Sequence, residues 1–208
     1  MLSINGKKSV RRAPRKILVV ASVLLIAGGL YTLALVFAPA AAPYLVTKPI
    51  TVSALPAPKT TDNRIIIPKI GVNIPYNAGG KAALDQGAEW RYPERGNPAK
   101  GGNFIIAAHR FTIQPTIGGT IEKSPFYNID KLVTGDKIVV DYDGVRYGYE
   151  ITSLSTVKPD QTEIEAPSDT AKLTLYSCEL DGSDAGRVVI VASPLGKIAL
   201  GVDATPTE

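Results

Sequence analysis

The sequence predicts an all-β fold, a closed barrel or a sandwich with one or two short helices, preceded by a single transmembrane helix. Three observations carry this. A 21-residue run without a charge, residues 17–37, follows six cations. From Arg64 onward, apolar β-branched stretches of strand length recur between Gly, Pro and Asp turns. Many short strands in about 145 residues close best as a barrel or sandwich.

The first segment, residues 1–16, is a basic tail with Lys7, Lys8, Arg11, Arg12, Arg15 and Lys16 and no acidic residue. The run "ILVVASVLLIAGGLYTLALVF" then spans about 31 Å as a helix, enough to cross a bilayer core. Flanking cations stay in the cytoplasm, so the expected localisation is the cell membrane, single-pass, with the C-terminal bulk outside. The tail and helix would contact membrane lipid. The following "APAAA" offers a cleavage site, but signal h-regions are usually about 7–15 residues, so the run reads as an uncleaved anchor.

The chain holds 23 basic and 19 acidic residues, a net of +4. Six of the cations lie in the tail, which leaves 17 against 19 outside it. No basic stripe remains, and this argues against nucleic acid as a partner. Residues 38–63 read as a linker, because Pro39, Pro43, Pro49, Pro56 and Pro58 block regular structure. Residues 64–200 form the expected extracytoplasmic domain, and 201–208 a tail.

Within that domain "RIIIPKIGVNIPY" is a strand region broken by Pro68 and Gly71. "NFIIAAHRF" is a short buried run. "DKIVVDYDGVRYGYEITSLSTV" is a hairpin turning at Asp143-Gly144, a dipeptide suited to positive φ. "AKLTLYSC" and "GRVVIVASPL" are two more strands. Short helices are expected near residues 82–86 and 124–130. Trp90, in the turn-rich "GAEWRYPERGNPAKGG", is expected to be a packing anchor.

Cys178 is the single cysteine. Outside the cell a lone cysteine is either a buried small hydrophobe or a reactive thiol. The single histidine, His109, ends an apolar strand, where polar residues commonly line sites. An imidazolium is a natural partner for a thiolate. Arg187 follows Cys178 by nine residues, across the polar loop "ELDGSDAG". It would begin its strand near where Cys178 ends its own, and could there stabilise an oxyanion.

These residues resemble the sortases, membrane-anchored cysteine transpeptidases of mainly Gram-positive bacteria. "TLYSC" is similar to the family's TLxTC signature, with Ser177 for the usual Thr. "AAHR" is similar to its histidine motif, with Ala108 for the usual Gly. Arg187 falls where the family's arginine begins the strand after the cysteine. The resemblance covers about residues 64 to 195 and includes "SPFYNIDKLVTGDKIVVDYDGVRYGYEI".

The resemblance implies an all-β, closed sortase-like β-barrel of about eight strands, and cleavage of an LPxTG-like sorting signal between Thr and Gly. Cys178 would be the nucleophile, Arg187 the oxyanion donor and His109 the acid and base. The acyl group would pass through a thioacyl-enzyme to an amine, from a cell-wall precursor or a pilin lysine, with no metal or organic cofactor. Thr174 and Tyr176 share a strand face with Cys178 and are candidates to line the substrate groove. Glu163, Glu165 and Asp169 precede the cysteine strand; some sortases use an acidic residue there for calcium, but no full ligand set is visible. An L,D-transpeptidase is the nearest enzymatic rival. Its cysteine has a histidine and glycine close before it and an arginine two residues after it, whereas Tyr176 and Ser177 precede Cys178 here and Leu180 is two after it. A non-catalytic, surface-anchored β-barrel binding module, with Cys178 in its core, is the rival from another class.

Overall fold

The computed structural model describes residues 15–45 and 50–198. Lys7, Lys8, Arg11 and Arg12 of the tail, linker residues 46–49, and residues 199–208 lie outside the described residues. The chain forms two compact units, Met1–Ala34 and Leu35–Glu208.

Helix α1, Arg15–Leu45, is the one helix among the described residues long and apolar enough to cross a membrane. From Ile17 to Leu33 its side chains are almost all apolar and are exposed all round, Leu24 and Leu25 among them, while Leu35 and Ala38 further along are buried. That pattern needs an apolar surround rather than a one-sided core. The helix continues through Pro39 and Pro43 to Leu45, into the segment read as linker. Pro43 has no N–H to offer the Pro39 carbonyl. Asn128 Nδ2 supplies a donor instead, at 2.9 Å.

The strands are β1 Arg64–Ile67, β2 Val72–Asn77, β3 Ala88–Arg91, β4 Gly96–Asn97, β5 Gly101–Ala108, β6 Lys137–Tyr142, β7 Val145–Val157, β8 Lys172–Glu179 and β9 Gly182–Lys197. Eight of them form a ring in the order β3-β2-β1-β6-β7-β9-β8-β5, closed by pairing of β3 with β5; β4 pairs only with β5. β2–β3 and β5–β8 are parallel, and the other pairs antiparallel. The closed eight-stranded barrel is the expected fold. Closure also removes the unpaired edges an open sheet would present.

Alternation sets the core. Ile65 and Ile67 of β1, Ile138 and Val140 of β6, and Ile106 and Leu175 of β5 and β8 point into one cluster. Trp90 packs edge-on against Tyr76, Phe104 and Tyr142, with ring centres 6.3, 5.8 and 5.7 Å away. The β6–β7 hairpin turns at Asp143 (φ 48°) and Gly144 (φ 74°) as its dipeptide predicts. Beside that turn, Arg146 Nε and Nη2 reach the two Asp141 carboxylate oxygens at 2.7 and 2.8 Å, both residues being buried. Arg146 Nη2 also holds the Pro56 carbonyl at 2.8 Å.

Of the remaining local readings, one agrees with the structure and two differ. The helix near 82–86 is present as α2, Lys81–Gln86. The second is not at 124–130 but at α3, Ile117–Glu122, where Thr116 Oγ1 accepts from Gly119 N at 3.0 Å. Phe126 and Ile129 are fully buried, and Phe126 N donates to the His109 carbonyl. That pull breaks 124–130 into turns and a 3-10 turn at Ile129–Lys131. β3 and β4 arise in the stretch read as loop, because their pairing partner β5 is supplied by the tertiary fold.

Candidate active site

Three adjacent strands build the site. β8 lies between β5 and β9. Neighbouring strands lie about 4.8 Å apart, so residues in register form rows across the sheet. Facing the core are Phe104–Leu173–Ala192 and Ile106–Leu175–Ile190. Alternating with them on the outer face are Ile105–Thr174–Val191 and Ala107–Tyr176–Val189. Beyond these rows His109 is the residue just after β5, and continuing the β5–β8 register by one step would set it opposite Cys178. Cys178 pairs directly with Arg187. Ser177 Oγ donates to the Ala108 carbonyl at 2.7 Å, which keeps the end of β5 in step with β8 up to the histidine.

Exposure rises along this face. Ile105, Ala107, Tyr176 and Val189 form a second buried apolar cluster, outside the barrel core. Cys178, His109 and Arg187 are half-buried. Gly186 (φ 149°) lets β9 approach β7 just before Arg187; a Cβ there would meet the Val157 carbonyl at 2.9 Å. Arg187 Nη1 donates to the Gly186 carbonyl at 2.9 Å.

His109 Nε2 lies 3.1 Å from Oδ1 of Asp85 on α2. Asp85 Oδ2 lies 2.6 Å from Lys81 Nζ, and the Asp85 carbonyl accepts from Lys123 Nζ at 2.7 Å. The Lys81 bond first, and the His109 bond second, hold the Asp85 carboxyl below its ordinary 3.8. No sequence signal pointed to Asp85; it lies 24 residues from the histidine.

The segment between β7 and β8 covers the outer face through a 3-10 turn, Thr162–Glu165. Asn103, fully buried on β5, donates from Nδ2 to the carbonyls of Ile164 and Ala166 at 3.0 and 2.8 Å. Its Oδ1 accepts from Thr174 Oγ1 at 2.7 Å. Tyr176 donates its phenol to Glu165 Oε1. Burial, and then this bond, push the phenol pKa up, so Tyr176 stays a neutral donor. Arg91 Nε lies 2.8 Å from the same carboxylate oxygen, and Arg95 Nη1 donates to the Glu165 carbonyl at 2.6 Å. Of the acidic residues noted here, Glu165 is therefore turned toward Arg91 and Tyr176, while Glu163 and Asp169 are exposed.

The sequence candidates thus fall in two depths. Cys178 and Arg187 pair at the half-buried end of the face, and His109, also half-buried, follows the end of β5. Thr174 is buried under the covering segment, and Tyr176 is nearly so. A cavity of about 190 Å³ opens between Arg187 and that segment, with Tyr176, Ile164 and Glu165 in its wall. Arg187, the strand partner of Cys178, lines this cavity, and a thiol, an imidazole and a guanidinium are the groups that acyl transfer at a carbonyl requires.

Comparison with known proteins agrees with the barrel. A Clostridium perfringens sortase D5 transpeptidase is 28% identical; the match covers 65% of this chain and 79% of that one, with a TM-score of 0.51. Sortase A of Listeria monocytogenes shares the fold at 23% identity, over 69% of this chain and 92% of that one, with a TM-score of 0.56. Sortase SrtE1 of Streptomyces coelicolor is 30% identical over 142 residues; the match takes in 60% of this chain but 37% of that relative's length. Residues 65–195 match the family described as Sortase domain, and they contain the whole barrel from the second residue of β1 through most of β9. On that match and that barrel, the chain belongs to the sortase family.

Proposed function

We propose that this chain is a cysteine transpeptidase that cleaves an LPxTG-like sorting signal between Thr and Gly and transfers the acyl group to an amine. The observation that supports it best is the direct pairing of Cys178 with Arg187, with His109 following β5 just beyond the Ser177–Ala108 bond. The Cys178 thiolate attacks the Thr carbonyl carbon. Arg187 donates to the oxyanion that forms. The C–N bond to Gly breaks, and protonated His109 gives its proton to the departing amine. An acceptor amine then attacks the thioester, neutral His109 takes its proton, and the C–S bond breaks to return the thiolate.

Tyr176 floors the substrate groove in this reading, and Thr174 serves it indirectly by holding Asn103 beneath the groove wall. The acceptor is a peptidoglycan precursor or a pilin lysine. Residues 17–37 anchor the protein with the cationic residues 1–16 in the cytoplasm, so that residues 64–200 act outside the membrane.

The test is a mass measurement. Full-length protein in detergent, given an LPxTG-type peptide and no acceptor, should gain an acyl mass on Cys178. Cys178→Ala should lose both adduct and turnover while its circular dichroism is unchanged. Full turnover by the alanine variant would end the reading.

A further inference from the structure

We propose that Asp85 is a positioning residue for His109: its carboxylate holds the Nε2–H of the imidazole, and so makes Nδ1 the atom that gives and takes the proton during acyl transfer. The inference rests on the functional reading above and specifies which ring atom acts in it.

The geometry carries the argument. Nε2 of His109 is 3.1 Å from Asp85 Oδ1, within hydrogen-bond reach. An ionised carboxylate only accepts, so the proton in this bond belongs to the imidazole. A neutral imidazole carries one N–H; with Nε2 protonated, the lone pair is on Nδ1. In the imidazolium both nitrogens are protonated, and Nδ1–H is the proton not committed to Asp85. The same nitrogen thus serves as acid in one half-reaction and base in the other, with no ring flip between them.

Asp85 is itself held. Lys81 Nζ takes its other oxygen at 2.6 Å, one turn earlier on α2, and Lys123 Nζ, just after α3, takes its main-chain carbonyl at 2.7 Å. The carboxylate therefore stands at the end of a short helix tied to two lysines, facing an imidazole at the end of β5. Orienting a ring through its second nitrogen is how carboxylates fix histidine tautomers at metal and hydrolase sites. Here the oriented ring would, in the functional reading, serve a thiol.

The chain has a single histidine, so selective ¹⁵N-histidine labelling of the full-length protein in detergent, made without a histidine tag, gives one ring to follow. In the neutral ring of the wild type, the proton should sit on Nε2. Asp85→Ala should mix the two tautomers. Asp85→Asn should keep part of the bias, because its amide oxygen accepts the same bond. Lys81→Ala should keep the wild-type tautomer, although it also loosens α2. In transpeptidation, Asp85→Ala should lower kcat about tenfold with KM changed less than about twofold, and Asp85→Asn should recover part of the loss.

A wild-type neutral ring protonated at Nδ1 overturns the proposal, as does an unchanged tautomer in Asp85→Ala. Equal losses of kcat in Lys81→Ala and Asp85→Ala would also overturn it, since they would mean that Asp85 only fastens the helix. Failure of wild-type Cys178 to form a thioester would remove the functional reading and the proton-transfer role together. The tautomer itself is read independently of that result.

Discussion

Asn103 ties the wall of the groove to its floor, and its removal should separate the two. The residue is fully buried and makes three hydrogen bonds, two to the carbonyls of Ile164 and Ala166 and one from Thr174. Each such bond contributes a net of about 1 kcal/mol, and a buried partner left unpaired costs about 1–3 kcal/mol. Asn103→Ala should therefore destabilise the barrel by about 3 kcal/mol. At a urea slope of about 2 kcal/mol/M, the midpoint would fall by about 1.5 M. Thr174→Val removes one of the three bonds and should cost about 1 kcal/mol. The two changes share a bond, so the double variant should cost less than their sum. Urea unfolding of the full-length protein, followed by Trp90 fluorescence, measures all three. Proteolysis of native protein should also cut Asn103→Ala faster within residues 158–171. A loss below about 0.5 kcal/mol for Asn103→Ala, or equal losses for both single variants, would show that these bonds do not hold the wall.

The remaining predictions concern charge. Arg187→Ala should lower kcat for transpeptidation by about 10²–10³, and Arg187→Lys should recover only part, because an ammonium lacks the guanidinium fork; near-equal rates would remove Arg187 from the site. Arg146→Met should cost about 3–5 kcal/mol by leaving the Asp141 carboxylate buried and unpaired, and adding Asp141→Leu should restore most of it in the same urea assay. Burial raises the phenol pKa of Tyr76, Tyr149 and Tyr176 above the ordinary 10.0. A raised folded pKa means stability that is complete below pH 10 and lost above it, as the unfolded chain sheds protons the folded one keeps. Thermal melts should thus fall steeply above pH 10, by about 1.4 kcal/mol per pH unit for each tyrosine, and Tyr149→Phe should flatten the slope.

The sequence by itself determined the elements whose cause is local. The apolar run at 17–37 specifies a helix by composition alone. Pro68 and Gly71 divide β1 from β2, and Asp143-Gly144 turns the β6–β7 hairpin, because backbone dihedrals answer to those residues directly. Cys178, His109 and Arg187 were legible as residue types at strand ends. What only the tertiary structure decided depends on partners distant in the chain. β3 is a strand because β5 and β2 pair with it on either side, and its own residues give a weak signal. Residues 124–130 lost their expected helix to the burial of Phe126 and Ile129. The pairing of Cys178 with Arg187, and the parallel β5 that ends beside β8 just before His109, follow from register, which is fixed by core packing across the whole barrel. Asp85 reached the histidine, and Asn103 the groove wall, only when the barrel closed and brought α2 and the β7–β8 segment against the strands. Sequence states which groups a chain carries; which of them stand within hydrogen-bond reach of one another is set by closure.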